Sequence, residues 1–221
     1  MDSVDQKGTS GATRTPAPPG SRGRGRPPGD QEARRSIILA AGLAVLAEVG
    51  YASASLRTVA QRAGCTTGAV TYYFASKEQL LVALAEHLFD EFDALLGPAW
   101  QTLDVRQAFM LLFDRVRADS NLWLAQFQLL ACARIEPACA AVFSRRYAAY
   151  REGLSNLIRH QQKAGVVRSD IDAELLADQL SAMGDGWMML LPAEPDRFCE
   201  KRVDRLLDAV FTLLKPVSSA P

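Results

Sequence analysis

Apolar residues recur at intervals of three and four along most of this chain, and no alternating strand pattern appears. The expectation is an all-α protein. A first helix is predicted from about Asp30 to Val49, with Ile37, Ile38, Ala41, Val45 and Val49 as its inward stripe and Gly50 closing it. A second, Ser55 to Ala63, sets Leu56, Val59, Ala60 and Ala63 on one side, with Ser55 as N-cap. Gly64 then suits the positive φ of a helix C′ position, and Thr66 caps a third helix running from about Thr67 to Phe74. Ser76 and Gln79 read as an S-x-x-Q capping box opening a fourth, which carries Leu80, Leu81, Leu84, Leu88 and Leu95 and stops at Gly97-Pro98. Beyond it, Val105 to Ala118, Leu122 to Ile135, Pro137 to Lys163, Ala173 to Leu191 and Pro195 to Leu214 are each apolar at helical spacing. Asp172 is the expected N-cap of the fourth of these, and Pro137 and Pro195 are compatible with helix starts.

The third helix has a mixed character that carries chemistry. Val70 and Phe74, an i,i+4 pair, face the preceding helices, and Thr67, Gly68, Thr71, Tyr72 and Tyr73 are left on or near the surface. Small hydroxylated residues hydrogen-bond base edges or phosphates, glycine allows close backbone approach, and tyrosine hydroxyls reach phosphate oxygens. Two short helices joined by a glycine turn also occur as plain structural hairpins, so the motif alone leaves both readings open.

From Arg34 to Leu84 the chain resembles the DNA-binding domain of the tetracycline-repressor (TetR) family of bacterial transcription regulators. The matching landmarks are A-A-G-L-A-V-L-A-E-V-G-Y (Ala40 to Tyr51), L-R-T-V-A-Q-R-A-G (Leu56 to Gly64) and G-A-V-T-Y-Y-F-A-S-K-E-Q-L (Gly68 to Leu80). Thr71 stands where many members carry an aromatic residue, whereas Tyr72, Tyr73 and Lys77 match positions that the family uses for phosphate or base contacts. The resemblance implies an amino-terminal helix-turn-helix head (residues 30–77) and a helical effector-binding and dimerisation body (78–221). The expected DNA contacts are Ser55, Arg57, Thr66, Thr67, Gly68, Thr71, Tyr72, Tyr73 and Lys77, of which Tyr72, Tyr73 and Lys77 are what the resemblance implies. The segment from Pro137 onward also resembles the C-terminal region of choline-responsive betaine-pathway repressors.

Charge agrees with a polyanionic partner. The 221 residues carry no net charge, yet Ser21 to Lys77 holds eight basic residues (Arg22, Arg24, Arg26, Arg34, Arg35, Arg57, Arg62, Lys77) against Asp30, Glu32 and Glu48. Residues 1–29 are rich in Gly, Pro, Ser, Thr and Arg, and are expected to form a disordered arm whose Arg24 and Arg26 follow the minor groove or the phosphates. No secretory signal is expected, because no apolar core follows the basic residues, nor is any apolar run expected to span a bilayer.

The last two helices are more apolar than one small domain needs: Leu175, Leu176, Leu180, Met183, Trp187 and Leu191 on one, Phe198, Leu206, Leu207, Val210, Phe211 and Leu214 on the other. A homodimer joined through this pair would set two reading helices about 34 Å apart, one turn of B-DNA. For the effector, Phe113, Trp123, Phe127, Tyr147, Met183 and Trp187 are candidate contacts with Arg134 as polar anchor. His87, Trp100, Phe109, Met110, Tyr150 and Asp185 are further candidates, and ordinary core packing is the alternative for each. Gly184-Asp185-Gly186 inside a helical run indicates close helix approach or a kink beside a cavity.

Enzyme signatures are missing: the sequence has no G-x-S-x-G, H-E-x-x-H, phosphate loop or dinucleotide fingerprint. Two isolated histidines do not indicate a metal site, and no cofactor is expected. Cys65, Cys132, Cys139 and Cys199 show no C-x-x-C pairing, which fits free thiols in a cytoplasm. The expected function is therefore a ligand-responsive repressor that binds a palindromic operator as a dimer and leaves it when a small molecule binds. Two alternatives are a redox sensor acting through Cys132 and Cys139, and a helical interaction module with no role on DNA.

Overall fold

The computed structural model describes residues 28–97 and 104–216, and within them every regular element is a helix. The head comprises α1 (Pro28–Ser53), α2 (Leu56–Arg62) and α3 (Thr67–Tyr73), followed by α4 (Lys77–Leu96). The body adds α5 (Val105–Ala118), α6 (Ser120–Ala133), α7 (Pro137–Lys163), α8 (Ala173–Leu190) and α9 (Glu200–Leu214). Arg24, Arg26 and Trp100 lie outside the described residues.

Most helix ends follow from capping chemistry. Asp104 and Gln107 exchange hydrogen bonds at the start of α5, at 2.8 and 3.2 Å. Asp172 accepts the Glu174 N–H at 2.7 Å, and Pro137 opens α7 where its missing N–H leaves nothing unpaired. Pro195 does not start a helix: residues 191–198 form turns, and α9 begins at Glu200 behind Cys199, which makes no side-chain cap. At α4, Ser76 accepts the Gln79 N–H at 3.2 Å, but Gln79 reaches back to the Ala75 N–H at 3.0 Å, so the expected box closes one residue early.

The buried face of α1 also differs from the expected stripe. Ile38 and Val45 are buried, but Ile37 and Val49 are exposed, at 57% and 50%, and the face is completed by Leu39, Leu43 and Leu46. Gly42 lies on it, and a Cβ there would stand 2.6 Å from Leu84 Cδ2, so α1 and α4 meet across a residue with no side chain. Hydropathy over Asp30–Ser53 is high enough for a membrane span, against the sequence expectation. Its apolar face is instead buried by α6 and α4, as in the core helix of a globular fold.

Head and body share one hydrophobic core. The packing of α1 along α6 is the most extensive of any helix pair, and α4 packs on α1, α6 and α7 together. Arg146 of α7 staples α4 through Glu86, Asp90 and Asp93, with the Asp93 contact at 3.1 Å, and Arg145 adds a second bond to Glu86. α9 is tied down by Val203, Leu207 and Leu214 and by Arg106, which meets Asp208 at 2.7 Å.

Candidate nucleic-acid interface and helical pocket

The turn between α2 and α3 is built around Gly64, at φ 64°. The Cys65 N–H bonds to the Ala60 carbonyl at 3.0 Å and the Gly64 N–H to the Gln61 carbonyl at 3.3 Å, the paired bonds of a Schellman stop. Thr66 Oγ then accepts the Ala69 N–H at 3.2 Å, so α3 restarts within four residues in a new direction. Val70 and Phe74 are buried beneath it, and Arg35 of α1 stacks on the Phe74 ring with 5.6 Å to its centroid.

This packing leaves an outward face of Thr67, Gly68, Thr71 and Tyr72. Tyr72 is 71% exposed and meets the half-buried Tyr73 edge-on at 5.0 Å, which braces its ring. Thr71 donates its hydroxyl proton to the Gly68 carbonyl at 3.1 Å, leaving its lone pairs and methyl outward. Such a group accepts from a base or touches a thymine methyl. Arg57 is exposed at the first turn of α2, whereas Arg62 is engaged by Glu48 at 2.8 Å.

Two of the expected contact residues are committed inside the protein. Ser55 forms a reciprocal cap with Thr58: its Oγ accepts the Thr58 N–H at 3.1 Å and its N–H donates to Thr58 Oγ at 2.8 Å. Lys77 donates to the Tyr51 carbonyl at 2.7 Å with its ammonium 4.3 Å from the Tyr51 ring centroid. In this conformation Lys77 clasps the end of α1.

Tyr51 is also where the head meets the body. Its N–H donates to Gln128 Oε1 of α6 at 3.2 Å, and its hydroxyl donates to Glu136 at 3.3 Å. The bend that allows this is Gly50, at φ 73° and ψ 172°, which breaks α1 where the sequence placed its end and lets one further turn continue to Ser53.

Between α4, α5, α6, α7 and α8 lies a pocket that opens to solvent. Phe89 and Phe92 line it from α4, Trp123 and Gln126 from α6, Tyr147 and Tyr150 from α7, and Ser181, Gly184, Asp185 and Met188 from α8. Trp123 packs edge-on against Phe92 at 5.2 Å, and Phe89 against Tyr147 at 5.6 Å. Gln126 Nε2 donates to the Tyr147 hydroxyl at 2.7 Å. Burial raises the Asp185 carboxyl to about 6, opposed by the nearby Tyr147 hydroxyl and by the charge of Arg151. Burial first, and then the charge of Asp185, push the Tyr147 and Tyr150 hydroxyls upward, so both stay protonated.

Trp123, Tyr147, Tyr150 and Asp185 were legible as lining candidates, and the structure brings them together. Other candidates belong elsewhere. Phe113 is fully buried against Trp187, with rings 5.8 Å apart, and Phe127, Met183 and Trp187 are half-buried core neighbours that do not line the pocket. Arg134 is exposed at the end of α6, and His87 faces a separate shallow depression with Glu91 and Arg115. Phe89, Phe92 and Gln126 were missed. Their signal was present as an i,i+3 aromatic pair and as a glutamine inside the apolar run of α6. Gly184 makes the expected close approach: a Cβ there would stand 3.0 Å from Phe109, and α8 runs on past Gly186 unbroken.

Cys132 and Cys139 are fully buried, and desolvation raises both thiols, Cys139 to about 12. Neither presents a reactive thiolate. Among the described residues, no group of His, Cys, Asp and Glu is placed to hold a metal ion.

A glycine-turned helix pair with an outward hydroxyl and tyrosine face, mounted on a helical body with a pocket, defines a helix-turn-helix regulator with a sensing domain. The model for bacterial regulatory proteins of the tetR family matches residues 38–84, and that for the BetI-type transcriptional repressor C-terminal region matches 103–214, half of the chain. The chain belongs to the TetR family of transcriptional regulators. Among its relatives, the transcriptional regulator PksA of Bacillus subtilis is 25% identical over 186 residues, spanning 80% of this chain and 88% of PksA. The nicotine-responsive repressor HdnoR of Paenarthrobacter nicotinovorans is 27% identical over 187 residues, spanning 80% and 95%. The fold is shared with a regulator from Saccharomonospora viridis solved in complex with choline, at 24% identity and a TM-score of 0.66, covering 81% of this chain and 93% of that one.

Proposed function

We propose that this regulator is a repressor that binds a two-fold operator as a cytoplasmic homodimer and releases it when a small molecule occupies the pocket. The observation carrying this reading is the α3 face of Thr67, Gly68, Thr71 and Tyr72, left outward by the burial of Val70 and Phe74. Residues 30–77 form the reading head and 78–221 the body. Arg57, Tyr72 and Tyr73 position the helix on phosphates, and Thr67, Gly68 and Thr71 meet base edges. Lys77 reaches phosphate with the ammonium protons that Tyr51 leaves over, and Thr66 with the outward side of its capping hydroxyl. Arg24 and Arg26 extend the contact along the groove. Ser55 serves the interface through the cap it provides to α2. The nicotine response of HdnoR supports a sensing role for the pocket, and pairing of α8 and α9 across a two-fold axis supplies the dimer.

The test is a gel shift with the DNA upstream of its own coding region, at graded salt. Specific retention is expected. Arg57→Ala should weaken binding to all sequences and lower the salt slope by about one, whereas Thr71→Val should change which bases are preferred. No retention at low salt sinks the reading in favour of a protein-interaction module.

A further inference from the structure

The polar atoms of the pocket restrict which ligand it can take, and the inference rests on reading this pocket as the effector site. Phe89, Phe92, Trp123, Tyr147 and Tyr150 surround it with aromatic rings, and among the described residues its lining includes carboxylates and no basic side chain. Ring faces carry negative potential, so rings and a half-buried carboxylate together favour a cation. Asp93, the other acid of the lining, is already held by Arg146 at 3.1 Å, which leaves Asp185 as the counter-charge.

One hydrogen bond fixes the rest. The Tyr147 hydroxyl accepts from Gln126 Nε2 at 2.7 Å. Gln126 Oε1 is therefore turned away from it, and Gln126 is only 3% exposed. Among the described residues Oε1 has no hydrogen-bond partner, and the Trp123 indole N–H, also on the lining, has none either. One unpaired acceptor and one unpaired donor, both buried, therefore border a cation-favouring space.

We propose that the effector is a small protonated amine that keeps at least one N–H on its cationic nitrogen, with that N–H on Gln126 Oε1, its charge facing Asp185, and an acceptor of the same molecule on the Trp123 indole. A quaternary ammonium satisfies the rings and Asp185 but leaves Gln126 Oε1 unpaired. A neutral lipophile satisfies neither, and an anion is repelled.

Benzyldimethylamine and benzyltrimethylammonium form a matched pair that differ in the one N–H. Calorimetric titration of the full-length protein at neutral pH is expected to show the tertiary amine binding about tenfold tighter. Gln126→Met, of similar size and without the acceptor, should bring the two affinities together, and Asp185→Asn should weaken both. Thermal unfolding checks that each variant is folded. Below pH 6 Asp185 is protonated in the free protein, so affinity should fall roughly tenfold for each further pH unit. The charge that acts on Asp185 is that of Arg151, which lies outside the lining and opposes the rise; beside it stand the neutral Tyr147 and Tyr150, with Asp93 held by Arg146. Equal or tighter quaternary binding, an unchanged preference in Gln126→Met, or no amine binding at millimolar concentration overturns the proposal. Amine binding with the expected preference but an operator complex left intact defeats the effector reading and leaves the ligand assignment standing. Operator release by a quaternary or neutral compound alone does the reverse.

Discussion

Gly50 shows how much one backbone position controls. With φ 73° and ψ 172° it occupies a region that L side chains rarely enter, and it is there that α1 bends so that Tyr51 can reach Gln128. A Cβ would also stand 3.3 Å from Gln128 Oε1, the atom that receives the Tyr51 N–H. Gly64 has a positive φ too, but open space around it. Gly50→Ala should therefore cost about 1–3 kcal/mol in urea unfolding, and Gly64→Ala about 1 kcal/mol. Equal losses would show that the bend is not strained. Sequence reading found both glycines as helix stops, since glycine punctuation is local chemistry. It missed that Lys77 closes onto Tyr51, because their 26-residue separation is bridged only by the packing of α1 and α4.

At the scale of elements, α6 connects the two sites. Trp123 and Gln126 stand on the pocket, and Gln128 holds the N–H of Tyr51 at the end of the head. α4 packs on both parts, but the most extensive contact across the boundary is α1 on α6. Hydropathy could not show how α1 meets α4: its face includes Gly42, which counts for nothing in an apolar pattern yet leaves room for Leu84. Capped helix starts were legible, and the uncapped start of α9 was not, because Pro195 suits a turn as well as a first helical position. If α6 transmits occupancy, Gln128→Ala should leave ligand affinity unchanged. It should also shrink the ratio of operator affinities without and with ligand by several-fold, a loss of about 1 kcal/mol in coupling. Linkage requires operator DNA to change ligand affinity by the same reduced factor, so titrating in both directions checks the result internally.

For the whole molecule, the pocket was only partly legible because it is assembled from residues on five helices, with i,i+3 pairs on α4, α6 and α7. The same periodicity describes residues that pack only the core, such as Phe113. The last two helices pose the matching problem on the outside. Leu176, Leu180, Leu207 and Leu214 fill the protomer's own core, so much of the apolar excess in the sequence is used internally. What is left is directional: Leu213 is 72% exposed, Leu206 and Val210 precede it at i−7 and i−3 on the same face of α9, and Leu175, Met189 and Leu190 are exposed on α8. A face of this kind fits the pairing of α8 and α9 proposed for the dimer. Leu213→Glu should yield a monomer in light scattering with an unchanged helical spectrum, since the side chain contributes little to the protomer's core. Operator affinity should fall by more than tenfold, because a single head contacts one half-site. A dimeric Leu213→Glu protein with full affinity would place the two-fold axis on another face and require a different spacing between the reading helices.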